Sequence, residues 1–417
     1  MKNILSVTAF IFCLSTTLSA QWSQQPTNVL SNLFGVRFTS PMTGWIVGQN
    51  GTFLKTTDGG ASWNQLTSPP AANLNKVFFS DGLNGWIVGD YNVILSTTDG
   101  GVSWYQNNDN TAYMADYYGI TVRVFGNQKV CWIAGGRSYT SLSVIEESNG
   151  DGVWNPQIIG FAGRMVRVNF LTNSLGWAVG DSGLILSTRN GGIWWNQQSS
   201  QTYTGLNDIM FFDSLEGLCV GDKGLIMKST DGGANWRVIQ SNPGSIFFKL
   251  FLQGDSVAYA VGGPTNAILK STDRGNTWTS QSVSGPAGTI FEDVYFVNDS
   301  EGWAVGNNGV VVHTTDGGVT SVNSQDPTKS YDFNLKQNYP NPFNPMTVIS
   351  YSLQQEAFVT IKIYDELGRE MKTLISERQN AGDHSVNFDA GTLPSGVYFY
   401  KLQAGTYTAT KKLMLLK

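Results

Sequence analysis

Cysteine and histidine are scarce in this chain of 417 residues, which contains three cysteines and two histidines. Cys13 lies in the first 20 residues, so the rest of the chain holds only Cys131 and Cys219. We expect these two residues to be buried free thiols. His313 and His384 are far apart in the sequence and fall in different predicted domains. Because neither residue type occurs at the spacing of metal ligands, we expect no metal site, and we predict no cofactor.

Charge is also sparse, since charged residues make up 14% of the chain and the net charge is −5 without a basic run. Nucleic acid and anionic membrane surfaces are therefore poor candidates for partners. A membrane-spanning helix needs about 20 consecutive apolar residues, and no segment after the N-terminal region has them. We expect a mature chain that does not span a membrane.

The first 20 residues have the features of a secretory signal peptide. Lys2 supplies a positive start, residues 4–14 are apolar, and small residues end at Ala20. This pattern predicts cleavage between Ala20 and Gln21 and export from the cell. An uncleaved anchor is the alternative interpretation.

A repeated motif organises residues 21–322. It consists of Gly-Trp-x-Val-Gly, a short turn, an alternating strand and then Thr-Asp-Gly-Gly-x-x-Trp, and its clearest copy spans residues 44–63. Successive turn positions are spaced by 41, 50, 41, 41, 42 and 43 residues. A period near 42 predicts β-propeller blades of four strands each. The turn positions, for which we predict a structural role, are Asp58, Asp99, Asn149, Asn190, Asp231, Asp273 and Asp316.

The two ends of the repeat region predict seven blades. The last copy has Ser321 where the other copies have the turn tryptophan, and a matching strand that begins at Trp22 stands at the mature N-terminus. Pairing that strand with the last blade would close the ring and remove two open sheet edges. Twelve of the thirteen tryptophans then have a place in the repeat, and Trp194 is the exception.

These motifs resemble the Asp-box repeats of sialidase-type propellers. The combination of Gly-Trp-x-Val-Gly with Thr-Thr-Asp-Gly-Gly is most similar to the propellers of photosystem II assembly factors. The resemblance covers about residues 21–322 and implies an all-β, seven-bladed propeller. It implies no particular function, because one fold serves many roles.

A second all-β domain is predicted at residues 335–417, after a polar linker at residues 323–334. Alternating strands that follow a proline-rich run predict an immunoglobulin-like β-sandwich. Four segments resemble the type A sorting domain of the type IX secretion system: residues 338–345, 364–369, 396–400 and 411–417. The resemblance implies that residues 335–417 engage that machinery and that the protein passes through the periplasm. It also implies removal of the domain and release or attachment at the outer surface. An ordinary immunoglobulin-like domain is the alternative.

Three functions are compatible with this organisation. A sialidase-type glycoside hydrolase is disfavoured because the turn aspartates recur in nearly every blade and no Arg-Ile-Pro motif is present. Such an enzyme also needs an arginine cluster and a pair of acid/base carboxylates. We therefore predict no enzyme activity and name no catalytic residue. Non-catalytic binding of a protein or a glycan is preferred, and an envelope assembly or scaffold role is the other alternative.

Candidate binding residues lie on the face opposite the Asp-box turns. The third repeat is irregular, and we predict that its crossover, residues 107–119, and its next turn expose tyrosine and arginine, which anchor many interfaces. The alternative is a surface loop that binds no partner. Three arginines on innermost strands would line the channel with positive charge or form buried salt bridges. The predicted residues are Tyr113, Tyr117, Tyr118, Arg137 and Tyr139 on the crossover and turn, and Arg37, Arg123 and Arg167 in the channel.

Overall fold

The chain forms two compact units in the computed structural model, Met1–Ser321 and Val322–Lys417. The predicted signal peptide and residues 323–332 of the predicted linker lie outside the described residues. No helix in the described part of the chain is long and apolar enough to cross a membrane. The structure describes residues 21–67, 72–109, 114–125, 128–137, 140, 142–150, 152–265, 268–318, 333–338, 341–355, 357–379, 382–391 and 393–416.

The first unit consists of short strands in the order that the repeat predicts. The first strands are β1 (Ser23–Gln25), β2 (Leu33–Phe38), β3 (Gly44–Gly48), β4 (Phe53–Thr56), β5 (Asn64–Gln65), β6 (Leu74–Phe79), β7 (Gly85–Gly89), β8 (Ile94–Thr97), β9 (Tyr105–Gln106), β10 (Asn108–Asp109), β11 (Ala115–Phe125), β12 (Gln128–Arg137), β13 (Leu142–Ser148) and β14 (Val153–Ala162). The remaining strands are β15 (Met165–Phe170), β16 (Gly176–Gly180), β17 (Ile185–Thr188), β18 (Asn196–Gln198), β19 (Leu206–Phe211), β20 (Gly217–Gly221), β21 (Leu225–Ser229), β22 (Arg237–Gln240), β23 (Ile246–Gln253), β24 (Val257–Gly263), β25 (Ile268–Ser271), β26 (Thr279–Ser280), β27 (Phe291–Phe296), β28 (Gly302–Gly306) and β29 (Val311–Thr314). One-turn 3-10 helices join the second and third strands of four sheets, at Gln49–Gly51, Asp181–Gly183, Asp222–Gly224 and Asn307–Gly309.

Seven sheets form the blades of a closed propeller. Each innermost strand contacts the innermost strand of the next sheet, and β27 contacts β2, so the ring closes. Blade 3 has a fifth strand, β10, which pairs in parallel with the outer strand β14. Blades 1, 2, 4, 5 and 6 are β2–β5, β6–β9, β15–β18, β19–β22 and β23–β26, blade 3 is β10–β14, and blade 7 is β27–β29 with β1.

The N-terminal strand completes the last blade, as the sequence predicts. Ser23 lies opposite His313 and Gln25 opposite Val311 in antiparallel register, and Trp22 is fully buried. The predicted seven-bladed propeller is therefore confirmed.

Stacked aromatic side chains join five of the seven pairs of neighbouring blades. In blade 1, Phe38 stacks on Trp303 of blade 7 with ring centroids 3.5 Å apart and meets the edge of Trp63 at 5.9 Å. Gly44 opens the Gly-Trp motif because a Cβ there would come within 2.6 Å of the Phe38 ring. The stacked pair recurs as Phe79 with Trp45, Phe170 with Trp132, Phe211 with Trp177 and Phe296 with Tyr259.

The Asp-box turns are held by hydrogen bonds within themselves. The Thr56 hydroxyl donates to Asp58 Oδ1 at 2.8 Å, and Asp58 also accepts the Ser62 amide at 2.9 Å. Hydrogen bonds from Ser62 are the main reason that the pKa of Asp58 falls to about 2. The Gly59 amide donates to the Met42 carbonyl, so the Asp-box turn and the turn between the first two strands share one face.

The second unit is a β-sandwich. One sheet has the order β30-β31-β34 and the other the order β33-β32-β35-β36. Tyr351 and Phe388 from the first sheet share one buried core with Ile361 and Tyr400 from the second, which confirms the predicted sandwich. Its strands are β30 (Asn334–Leu335), β31 (Met346–Leu353), β32 (Ala357–Tyr364), β33 (Glu370–Gln379), β34 (Gly382–Asp389), β35 (Gly396–Ala404) and β36 (Tyr407–Leu415).

Candidate functional site

Each innermost strand of the propeller has a β-bulge near its N-terminal end. In blade 1 the pairing register shifts between Leu33 and Gly35, and in blade 7 it shifts between Phe291 and Asp293. A bulge adds one residue to a strand and re-aims its side chain. The bulged residues, which we call the mouth ring, are Phe34, Asn75, Tyr118, Val166, Asn207, Phe248 and Glu292.

The mouth ring lines a cavity of about 270 Å³, which we call the mouth cavity. One residue from each of the seven blades faces it, so the cavity lies on the propeller axis. Asp90 also lines it and belongs to a turn between second and third strands. The mouth cavity therefore opens on the face opposite the Asp-box turns. Its remaining lining residues are Asn73, Asp116 and Arg167.

Three carboxylates face the mouth cavity without a cationic partner among the described residues. Asp90 accepts the side-chain amides of Asn73 and Asn75 at 2.8 and 2.7 Å. Asp116 accepts only the backbone amide of Tyr91, at 3.0 Å. Glu292 is half-buried and has no hydrogen-bond partner in the described part of the chain. Burial, followed by the neighbouring charge of Asp293, raises the pKa of Glu292 to about 7.

A ring of buried ion pairs forms the floor of the mouth cavity. Lys76 Nζ lies 2.6 Å from Asp293 Oδ2. Asp208 accepts two cations, with Lys249 Nζ at 2.6 Å and Arg167 Nε at 3.3 Å. These residues directly follow the bulged positions on their strands. These ion pairs join blade 2 to blade 7 and blade 5 to blades 4 and 6. Removing one partner of such a pair would leave an uncompensated buried charge.

A smaller cavity of about 120 Å³ lies on the other side of this charged ring. Arg37 occupies it between two aromatic rings, 4.5 Å from the Phe78 centroid and 4.4 Å from the Tyr295 centroid. Its guanidinium donates to the Phe79 carbonyl at 2.9 Å, and burial lowers the pKa of the Arg37 side chain.

The structure separates the three arginines predicted in the channel. Arg37 and Arg167 line its cavities, and Arg167 forms the salt bridge that the sequence left open as an alternative. Arg123 is half-buried and donates from Nε to the Phe170 carbonyl.

The prediction that Tyr117 is an exposed anchor is wrong. Tyr117 is 0% exposed and its hydroxyl donates to Glu146 Oε1 at 2.7 Å. Strand β11 begins at Ala115, so Tyr117 and Tyr118 belong to an innermost strand and not to the crossover. Tyr117 takes the core position that Leu33 has in blade 1, whereas Tyr118 is a mouth-ring residue.

The other predicted crossover residues are only partly described. Arg137 is half-buried at the end of β12. Tyr113 and Tyr139 lie outside the described residues.

Sequence reasoning missed most of the mouth ring, including Phe34, Phe248 and Glu292. A signal was available, because the bulged residue lies ten positions before the first glycine of Gly-Trp-x-Val-Gly, as Asn75 does before Gly85 and Glu292 before Gly302. Five of the seven repeats keep this spacing, blade 6 keeps it with Ala258 in place of the glycine, and blade 3 departs from it because its inner strands are longer.

The fold and its site define a class of protein, an Asp-box propeller with an axial cavity that is followed by a β-sandwich domain. Residues 14–122, 63–140, 146–245 and 245–329 match the family described as photosynthesis system II assembly factor YCF48, and the chain belongs to this family. Residues 337–416 match the secretion system C-terminal sorting domain. Both resemblances drawn from the sequence are confirmed. The sorting domain implies that the protein is secreted or carried on the cell surface.

Solved structures share the propeller fold at low sequence identity. The structure titled YCF48 bound to D1 peptide is 22% identical with a TM-score of 0.58, covering 71% of this chain and 97% of that one. YCF48 from Cyanidioschyzon merolae is 19% identical with a TM-score of 0.56, covering 71% of this chain and 98% of that one. These identities show the fold alone.

A third structure extends over both units. PorZ, a surface component of the type-IX secretion system of Porphyromonas gingivalis, is 13% identical with a TM-score of 0.51. The match covers 93% of this chain and 60% of PorZ. No curated protein sequence matches the chain.

Proposed function

We propose that this protein is a non-catalytic recognition propeller that binds a segment of polypeptide at its mouth cavity. The observation that carries the proposal is the cavity itself, which is on the axis, opens on one face and is lined by one residue from every blade. Ligand sites are concave, partly apolar and furnished with a few polar groups, and the mouth ring has this composition.

The chemistry of the charged residues supports binding over hydrolysis. The Asp-box aspartates accept hydrogen bonds within their own turns, as Asp58 and Asp273 do. A sialidase needs an arginine cluster for the substrate carboxylate, whereas Arg167 at the mouth is paired with Asp208. A purely structural role in the envelope is the other candidate, and the absence of any ligand in the experiment below would favour it.

The size of the cavity favours polypeptide over glycan. Pockets that enclose drug-sized ligands have volumes of about 300–1,000 Å³. The mouth cavity, at about 270 Å³, has room for one or two amino-acid side chains and not for several sugar rings. One related propeller is described as bound to a peptide, which is consistent with a polypeptide ligand.

Export is the second part of the proposal. We infer that residues 335–417 direct the chain through the periplasm and the type IX machinery, and that the domain is then removed. The recognition face would thus act at the outer surface or outside the cell. The match to a sorting domain over residues 337–416 supports this route.

A peptide display library selected on the purified protein tests the recognition function. Val166→Trp fills the mouth cavity, while Leu215→Trp adds the same bulk to an exposed turn on the opposite face and serves as the control. We expect selected peptides to bind the wild type and Leu215→Trp with equal Kd and to bind Val166→Trp at least tenfold more weakly. Peptides that bind Val166→Trp unchanged, or an empty selection, would each overturn the proposal.

A further inference from the structure

We propose that the mouth cavity is specific for a basic side chain, a lysine or an arginine, in the polypeptide that it binds. This inference rests on the proposed function and names the chemical class of its ligand. It follows from the charges around the cavity, from its aromatic walls and from the lack of a metal-ligating cluster among the described residues.

Negative charge is in excess at the mouth. Asp90 from blade 2, Asp116 from blade 3 and Glu292 from blade 7 all line the cavity. The one cation among the described lining residues is Arg167, which shares Asp208 with Lys249, so carboxylates outnumber cations three to one in this lining. A ligand cation would therefore meet three carboxylates that have no ion-pair partner among the described residues.

The floor of the cavity adds a further acceptor. Asp293 is 1% exposed, and its Oδ2 contacts Lys76 and the Val36 amide. Its Oδ1 is buried without a hydrogen bond from any described residue, and Asp293 lines the smaller cavity on the other side of the charged ring. Charges act more strongly in such a partly enclosed site, because the effective dielectric constant there is well below that of water.

The walls between the carboxylates are aromatic. Phe34, Tyr118 and Phe248 occupy three of the seven mouth-ring positions. Cations are attracted to the faces of aromatic rings within about 6 Å. One such contact already exists at the rim, where the Arg164 guanidinium lies 5.5 Å from the Tyr118 centroid while it pairs with Asp181.

The arrangement fits an organic cation better than a metal ion. A metal ion needs several ligand atoms within about 2–2.6 Å of one point. In the part of the chain that the structure describes, no three aspartate, glutamate, histidine or cysteine side chains are close enough for this. A lysine or arginine side chain is longer, and its apolar stem can pack on aromatic rings while its charged end meets a carboxylate.

Calorimetric titration with capped pentapeptides tests the specificity. The peptides have glycine at four positions and lysine, arginine, acetyl-lysine or norleucine at the centre. We expect the lysine and arginine peptides to bind the purified protein at least tenfold more tightly than the two neutral ones. A fifth peptide with norleucine and a free N-terminus separates a terminal amine from a basic side chain, and it should bind as weakly as its capped form.

Matched variants locate the effect at the mouth. Glu292→Gln removes the unpaired carboxylate, whereas Asp299→Asn removes an exposed carboxylate on the same blade at the opposite face. We expect Glu292→Gln to weaken lysine binding about tenfold and Asp299→Asn to leave it unchanged. Glu292→Gln should fold normally, because burial already disfavours the charged form of Glu292.

The pH dependence of binding of the lysine peptide provides an independent test. Since the pKa of Glu292 is about 7, its charge appears as the pH rises through neutrality, and lysine binding should strengthen from pH 5.5 to pH 8. Burial also lowers the pKa of Lys76, so its loss of charge acts in the same direction. Glu292→Gln should make the profile shallower and leave only the part that is due to Lys76. The other charged or titratable groups that face Glu292 are Asp90, Asp116, Tyr118, Arg167 and Asp293.

Two results would overturn the inference. The first is equal affinity for the lysine and acetyl-lysine peptides, and the second is an equal loss of binding in Glu292→Gln and Asp299→Asn. Library peptides that lack a basic residue but bind the wild type and not Val166→Trp would be a different outcome. They would support the recognition function and contradict its specificity for a cation.

Discussion

Tyr117 and Glu146 form a buried polar pair inside blade 3. Both side chains are 0% exposed, and the Tyr117 hydroxyl donates to Glu146 Oε1 at 2.7 Å. The Tyr117 ring packs in a core with Trp86, Ile133 and Val144. A buried carboxyl group without donors is costly, so this hydroxyl allows a glutamate to occupy the interior of the blade.

Replacing Tyr117 by phenylalanine should destabilise the propeller without disturbing its packing. We expect the free energy of unfolding to fall by about 1–3 kcal/mol, the range for loss of one buried hydrogen bond to a carboxyl group. Urea denaturation followed by tryptophan fluorescence measures it. Tyr105→Phe is the control, because Tyr105 is exposed on the outer strand of blade 2. Equal stability of the two variants would contradict the buried role of the Tyr117 hydroxyl.

At the scale of single strands, regular motifs could be predicted from the sequence and bulges could not. The second strand of blade 2 coincides with its Gly-Trp-x-Val-Gly motif at Gly85–Gly89. No such motif marks the innermost strand, which begins at Leu74. A bulge shifts the alternation of side chains by one residue, so a strict period of two cannot assign the residues on either side of it to the correct face. For this reason the sequence did not identify Asn75 as a site residue, and it placed Tyr118 on the crossover instead of on an innermost strand.

Two adjacent tryptophans in blade 4 show that the position in the repeat, and not the residue type, decides whether the side chain is buried. Trp195 holds the Asp-box position, is 7% exposed and meets the edge of Phe170 at 5.7 Å. Trp194 precedes it and is 72% exposed. Trp195→Ala should lower the free energy of unfolding by about 3–5 kcal/mol, as expected for loss of a large core side chain.

Trp194→Ala provides the matched control for this prediction. Its effect on the free energy of unfolding should stay within about 0.5 kcal/mol, because surface substitutions away from special features rarely exceed that. Chemical denaturation of both variants measures the difference. If Trp194→Ala were as damaging as Trp195→Ala, Trp194 would have a packing role that its exposure does not indicate.

At the scale of the whole molecule, the count of blades rests on the two ends of the repeat region. Ser321 in place of a turn tryptophan and a matching strand after Trp22 were enough to predict closure, because the N-terminal strand supplies the outer strand that the last repeat lacks. The position of the ligand cavity could not be predicted in the same way. Its lining comes from seven distant segments, and their convergence depends on bulges and on long-range contacts.

Side-chain hydrogen bonds and packing add to the backbone pairing with β29 in holding the N-terminal strand in the last blade. The Gln21 side chain donates to the Gly318 carbonyl at 2.8 Å, and the Thr27 hydroxyl donates to the Gly309 carbonyl at 2.7 Å. Trp22 fills a core shared with Tyr259 and Phe296. Closure is therefore made by side chains on both sides of the strand as well as by its backbone.

Deleting residues 21–26 should open the ring. We expect a lower melting temperature and self-association, because the edge of β29 and the pocket vacated by Trp22 would both be exposed. Differential scanning calorimetry and size-exclusion chromatography measure the two effects. Gln24→Ala is the control, since Gln24 is exposed on the same strand and should behave as the wild type. A synthetic peptide of residues 21–28, added to the deletion variant, should restore the monomer and raise its melting temperature, whereas the same peptide with Trp22→Ala should not. Full stability of the deletion variant, or equal rescue by both peptides, would contradict closure through Trp22.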